Sequence, residues 1–202
     1  MRIAILVEGA TEMAFRKKLH EFLQSRLEQK MPRLDFKPQH GGIPKERKLK
    51  KIVETLLDND GYNAVIALTD VYTGKPDFQD ANDAKDQMMR WVDKNPNFYP
   101  HTALHDFEAW LLPYWTTIQK LAKHNRSAPS GSPETVNHQQ PPSDRIKEIF
   151  KIGTRGKDYN KVIDGMAILK KNDLMIAIQA CPELKAFVNR IISLCDEDKI
   201  IS

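Results

Sequence analysis

The sequence predicts an α/β protein: a mainly parallel sheet flanked by helices, with a helical C-terminal extension. Three observations predict it. Two unbroken apolar runs, at 3–7 and 64–68, are each followed closely by an acid, Glu8 and Asp70. Such runs, bounded by turns, are strands buried on both faces, as parallel sheets require. Segments of helical periodicity lie between the strand patterns, which is the alternation of βαβ units. Beyond residue 142 every apolar pattern is helical.

In chain order, Gly9 lets the first strand turn closely, Thr11 is a suitable N-cap, and Glu12 falls in the first helical turn. Phe15, Leu19, Phe22, Leu23 and Leu27 share one helix face, with Arg16, Lys17, Lys18, Glu21 and Arg26 opposite. Pro32 ends that helix. Leu34 and Phe36 alternate with polar residues as a short strand, and 40–44 is a Gly-Gly loop. The next helix opens on Lys45, Arg47, Lys48, Lys50 and Lys51 and buries Leu49, Ile52, Val53, Leu56 and Leu57. After the second acid-ended strand comes a loop at 71–77. A helix from about Ala81 to Lys94 then turns Ala84, Met88, Trp91 and Val92 inward. Residues 98–105 read as an edge strand, because Pro100 has no N–H for a central ladder. Asp106 and Glu108 stand in the first turn of a further helix. Residues 125–142 are rich in Ser, Pro and Gln and read as a surface loop. Pro182 suits the first position of the last helix. The expected organisation is an α/β domain at 1–123, a surface loop at 124–142, and a helical extension at 143–202 packed on the same domain.

A chain of 202 residues is long enough for one domain with a sizeable core. Its net charge of +4 is compatible with an anionic partner without demanding one. Cys181 and Cys195 are the only cysteines and read as reduced core thiols. The opening apolar run is too short for a signal-peptide core, and no stretch approaches membrane-spanning length. A cytoplasmic protein with no membrane partner is expected.

The chemistry lies in the acids. Glu8, Asp70 and the Asp106/Glu108 pair end three successive sheet elements. In a parallel sheet the carboxyl ends of the strands share one edge, so these residues converge although far apart in sequence. Converging carboxylates repel unless a cation sits among them. All-oxygen ligands suit Mg²⁺ or Mn²⁺. The plainer alternative is separate solvated acids at strand ends. His105 is a candidate base or orienting group, and Glu12 either bonds its own helix N-terminus or supports the metal. The basic run at 45–51 neutralises phosphates or is a solvated helix face. Trp91, Trp110 and Trp115 read as core.

Three segments carry a family resemblance: 7–12 (Val-Glu-Gly-Ala-Thr-Glu), 68–76 (Leu-Thr-Asp-Val-Tyr-Thr-Gly-Lys-Pro) and 104–112 (Leu-His-Asp-Phe-Glu-Ala-Trp-Leu-Leu). Together with 132–137, 142–146, 159–162 and 181–182, in that order and spacing, they resemble the DUF4276 proteins, small bacterial proteins related to the TOPRIM fold. That resemblance implies a TOPRIM-like sheet. It makes Glu8 and Asp70 the acids that bind Mg²⁺ (or Mn²⁺) for phosphodiester chemistry, as in OLD-type and RloB-like nucleases of phage defence. Tyr72 stands where the second acid of the TOPRIM Asp-x-Asp pair belongs, and Glu108 is the favoured replacement, ahead of Asp77 and Asp106. The resemblance also implies that Lys75, Arg145, Tyr159 and Lys161 contact substrate phosphate.

The function expected is a Mg²⁺-dependent nuclease acting on DNA or RNA, with Glu8, Asp70, His105 and Glu108 in the catalytic site. An ABC- or AAA-type ATPase partner is implied by the resemblance alone, and the absence of a Walker A motif assigns no ATP hydrolysis to this chain. Two alternatives stand beside it: a non-catalytic subunit that binds nucleic acid or the ATPase, and a small-molecule phosphohydrolase.

Overall fold

In the computed structural model, which describes residues 1–71, 78–135, 140–156 and 158–202, four strands form one parallel sheet. They are β1 (Arg2–Val7), β2 (Arg33–Pro38), β3 (Ala64–Val71) and β4 (Phe98–Leu104), in the order β2-β1-β3-β4. All three pairings are parallel, as the continuous apolar runs of β1 and β3 require. The side chains of β1 alternate. Ile3, Ile5 and Val7 enter one core, while Ala4 and Leu6 enter the other. Among the described residues β4 pairs with β3 alone, and an edge strand accommodates Pro100.

Helices cover both faces. α2 (Glu46–Glu54) and α3 (Ala81–Trp91) supply Leu49, Val53, Ala84 and Met88 to the core around Ala4 and Leu6. α1 (Ala10–Leu27) packs on the opposite face through Phe15, Leu19 and Leu23. That core continues without a break into the C-terminal helices. These are α4 (Trp115–Ala122), α5 (Pro142–Gly153), α6 (Lys161–Lys170), α7 (Leu174–Ala180) and α8 (Pro182–Ser193). Phe187 of α8 stacks on Trp110 and meets His101 of β4 edge-on, so the last helix is seated directly on the sheet. Among the described residues, no helix is long and apolar enough to cross a membrane.

Two elements differ from the expectation. α1 starts at Ala10, with Gly9 as its extended N-cap, and Thr11 is buried inside the first turn. No side-chain cap is needed there. The carboxylate of Glu12, at the third helical position, is favoured in its charged form by the backbone N–H groups of Glu12 and Gly9, the place an acid takes in a capping box. Residues 107–114 form a 3-10 helix, not an α-helix. Pro113 within it lacks an N–H for the α pattern. His105 precedes this element with a φ of +63°, a left-handed turn that redirects the chain from β4 into the 3-10 helix.

Candidate active site

The chain leaves β1 toward β2 on one side and leaves β3 toward β4 on the other. The carboxyl ends of β1 and β3 therefore form the crevice where open α/β sheets place their ligands. Glu8 and Asp70 flank that crevice. Glu8 reaches across it: its Oε1 accepts from the Asp70 N–H at 3.0 Å and from the Thr69 hydroxyl. Asp106 and Glu108 come from the next strand end. Both are completely buried, and Glu12 is 5% exposed.

The other four acids all act electrostatically on Asp70. Burial pushes the Asp70 carboxyl well above the usual range, and Glu8, Glu12, Asp106 and Glu108 each push it further. Burial also raises Glu12, with Glu8 adding to it against two backbone N–H groups. Asp106 is raised by burial and partly held down by Ser143, whose N–H donates to its Oδ2 at 3.2 Å, and by Lys161. Glu108 is raised to about 7 by burial and the charge of Asp106. Lys161 opposes both acids, its Nζ lying 3.0 Å from Glu108 Oε2. Burial alone would lower the Lys161 ammonium; Glu108, Asp106 and Asp70 outweigh it and hold it above its ordinary value.

Of the residues singled out from sequence, Glu8, Glu12, Asp70, Asp106, Glu108 and Lys161 are brought together. His105 is buried beside Asp106 and acts on its charge. Arg145, on α5, acts on Glu148. Tyr72, Lys75 and Asp77 lie outside the described residues. Three contributors were not singled out: the Thr69 hydroxyl, the Ser143 backbone, and a cavity beside Glu8 and Asp70 that is lined by the 41–45 loop and by Phe78, Met88 and Trp91. Thr69 had a sequence signal, one position before a strand-ending acid. The Gly41-Gly42 doublet after β2 was another, since it must fall on the same edge.

Among the described residues, no three His, Cys, Asp or Glu side chains stand ready-arranged as a metal-binding group. The donor set is nevertheless entirely carboxylate oxygen, which fits a hard divalent cation. Asp106 Oδ1 and Glu108 Oε1 are buried without a hydrogen-bond partner among the described residues. Buried acceptors of that kind are costly unless something occupies them. The Tyr159 hydroxyl is likewise buried and unbonded there, and after burial itself, Glu108, Asp164 and Asp106 raise it further.

The chain matches the family model described as a domain of unknown function, DUF4276, over residues 7–192, a span that includes all five acids and Lys161. No curated protein and no solved structure matches it.

Proposed function

The chain belongs to the DUF4276 family, and we propose that its sheet is TOPRIM-like and that its acid cluster serves Mg²⁺-dependent phosphodiester hydrolysis in DNA or RNA. One observation carries the reading. Asp70 lies within electrostatic reach of four other carboxylates at the β1/β3 crevice, and among the described residues Lys161 is the lysine that pairs with one of them. A protein that spends stability on mutual repulsion at its sheet edge has a use for a cation there.

Glu8, Asp70 and Glu108 would hold the ion. A magnesium or manganese ion so held would supply Lewis-acid polarisation of a phosphoryl oxygen and would make a water acidic enough to act at neutral pH. The remaining chemistry belongs to the chain. The Thr69 hydroxyl and the Asp70 N–H fix Glu8 through one oxygen, and both of those bonds fall on Oε1. Lys161 stays charged beside Glu108, a position from which it offsets charge developing on phosphoryl oxygens. Glu12 secures the start of α1, and so the turn that carries Glu8. A role in phage defence and an ATPase partner belong to the same reading through the resemblance of the motifs.

Purified protein is incubated with plasmid, single-stranded DNA and tRNA in Mg²⁺, Mn²⁺ or EDTA, beside the Glu8→Gln variant. The reading expects cleavage that needs the metal and is lost in the variant. Wild type and variant that are equally inert on all three substrates in both metals would sink it.

A further inference from the structure

We infer that the cavity beside Glu8 and Asp70 receives an unpaired nucleobase, so that the acids act on single-stranded nucleic acid or a free nucleotide and not on intact duplex. The inference rests on the reading of the acids as a phosphoryl-transfer site. The cavity has a volume of about 320 Å³, at the small end of small-ligand sites. Its lining has two chemically different parts. Glu8, Thr69 and Asp70 make the polar part. The apolar part is built from Met88, which is fully buried, and from Phe78 and Trp91. The two rings stand 6.0 Å apart between centroids at an interplanar angle of 42°. Both are only half-buried, and both line the cavity.

The rim shows why a flat ligand can enter. Gly41 and Gly42 have φ of +98° and +109°, and an added Cβ at either would meet no atom within 4 Å. That stretch of rim is backbone alone, and Lys45 brings a cation to the same lining. A nucleotide matches both parts. Its base offers a π-face to the wall of Phe78 and Trp91, as single-strand binders use. Its phosphate would lie toward Glu8 and Asp70, which would hold the cation that offsets its charge. A sugar phosphate has nothing for the apolar wall. A duplex keeps its bases paired and reaches the cavity only by extruding one.

Isothermal titration calorimetry on the full chain, in EDTA and again in Ca²⁺, tests this with four probes. These are a nucleoside monophosphate, ribose 5-phosphate, a single-stranded hexanucleotide and the same sequence as duplex. The nucleoside monophosphate is expected to bind about tenfold tighter than ribose 5-phosphate, and the single strand tighter than the duplex. Trp91→Leu keeps apolar packing and is expected to lose the base preference while holding its affinity for ribose 5-phosphate; thermal melting establishes that it folds. A hexanucleotide that outbinds the monophosphate identifies the polymer as ligand, and equal affinity identifies the free nucleotide. Equal binding of nucleotide and ribose phosphate overturns the inference. So do a preference for duplex, no binding in either buffer, and a Trp91→Leu protein that keeps its preference. Glu8-dependent cleavage without any base preference would leave the metal-site reading standing and remove the base pocket. Base-dependent binding without cleavage in any metal would do the reverse.

Discussion

The Asp70 carboxyl sits among four other carboxylates, and that decides what its neutralisation does. Asp70→Asn keeps the shape of the side chain and removes a charge that burial and its neighbours already disfavour. The backbone N–H that Asp70 gives to Glu8 is untouched. The variant is therefore expected to melt higher than wild type in EDTA at pH 7.5, by about 2–4 °C for each kcal/mol of repulsion relieved, while losing metal-dependent cleavage. An unchanged or lower melting temperature would mean that Asp70 is not repelled as described. Lys161 obeys the same logic with opposite sign. It is the first residue of α6, where a helix dipole disfavours a cation, and Asn160 already caps the helix through the N–H groups of Val162 and Ile163. The acids, not the helix, account for a lysine in that place.

At the scale of elements, the strands were legible because burial on both faces leaves an unbroken apolar run, and the edge position of β4 was legible from Pro100. The 3-10 helix was not, since its buried Phe107–Leu112 stretch has no polar face to mark a helical period. The 125–142 stretch reads as loop from composition, yet its Glu134 is buried. That carboxylate accepts from Trp110 Nε1 and the Glu183 N–H, each at 2.9 Å, and from the Leu184 N–H at 3.3 Å. One residue thus ties the loop to the 3-10 helix that carries Glu108 and to the N-terminus of α8, where a negative charge is favoured. Glu134→Ala would leave three donors unpaired and is expected to cost about 2–4 kcal/mol in urea unfolding. Glu134→Gln, which keeps one acceptor oxygen, should cost less. Equal stability of wild type and the alanine variant would show that the loop is not anchored through this residue.

For the molecule as a whole, the placing of Glu8 and Asp70 side by side followed from topology, because parallel strands bring distant acids to one edge. The closing lysine and the aromatic cavity did not follow. They come from a helix about ninety residues beyond Asp70 and from loop packing that no period encodes. The assembled cluster sets how stability depends on pH. Glu12, Asp70, Asp106 and Glu108 hold their protons more tightly folded than unfolded. The stability this gives is complete below their unfolded values and is lost as pH rises through the folded ones. His101, buried and lowered to about 3 by desolvation and then by Lys85 and Arg190, works in the opposite direction. Unfolding lets it take up a proton below its ordinary value of 6.5, so its contribution grows with pH up to that point and is then constant. Between pH 4.5 and 6.5 the two trends oppose each other. Above 6.5 the acids act alone, with Glu108 titrating near 7. Metal-free protein is therefore expected to melt progressively lower from pH 6.5 to 8.0, and millimolar Mg²⁺ or Mn²⁺ should raise the melting temperature most at pH 8.0, above the value near 7 to which Glu108 is raised. In Glu8→Gln the metal-induced rise should shrink. A melting temperature that climbs over this range in EDTA, or a metal effect equal at both ends of it, would remove the charged cluster as the cause.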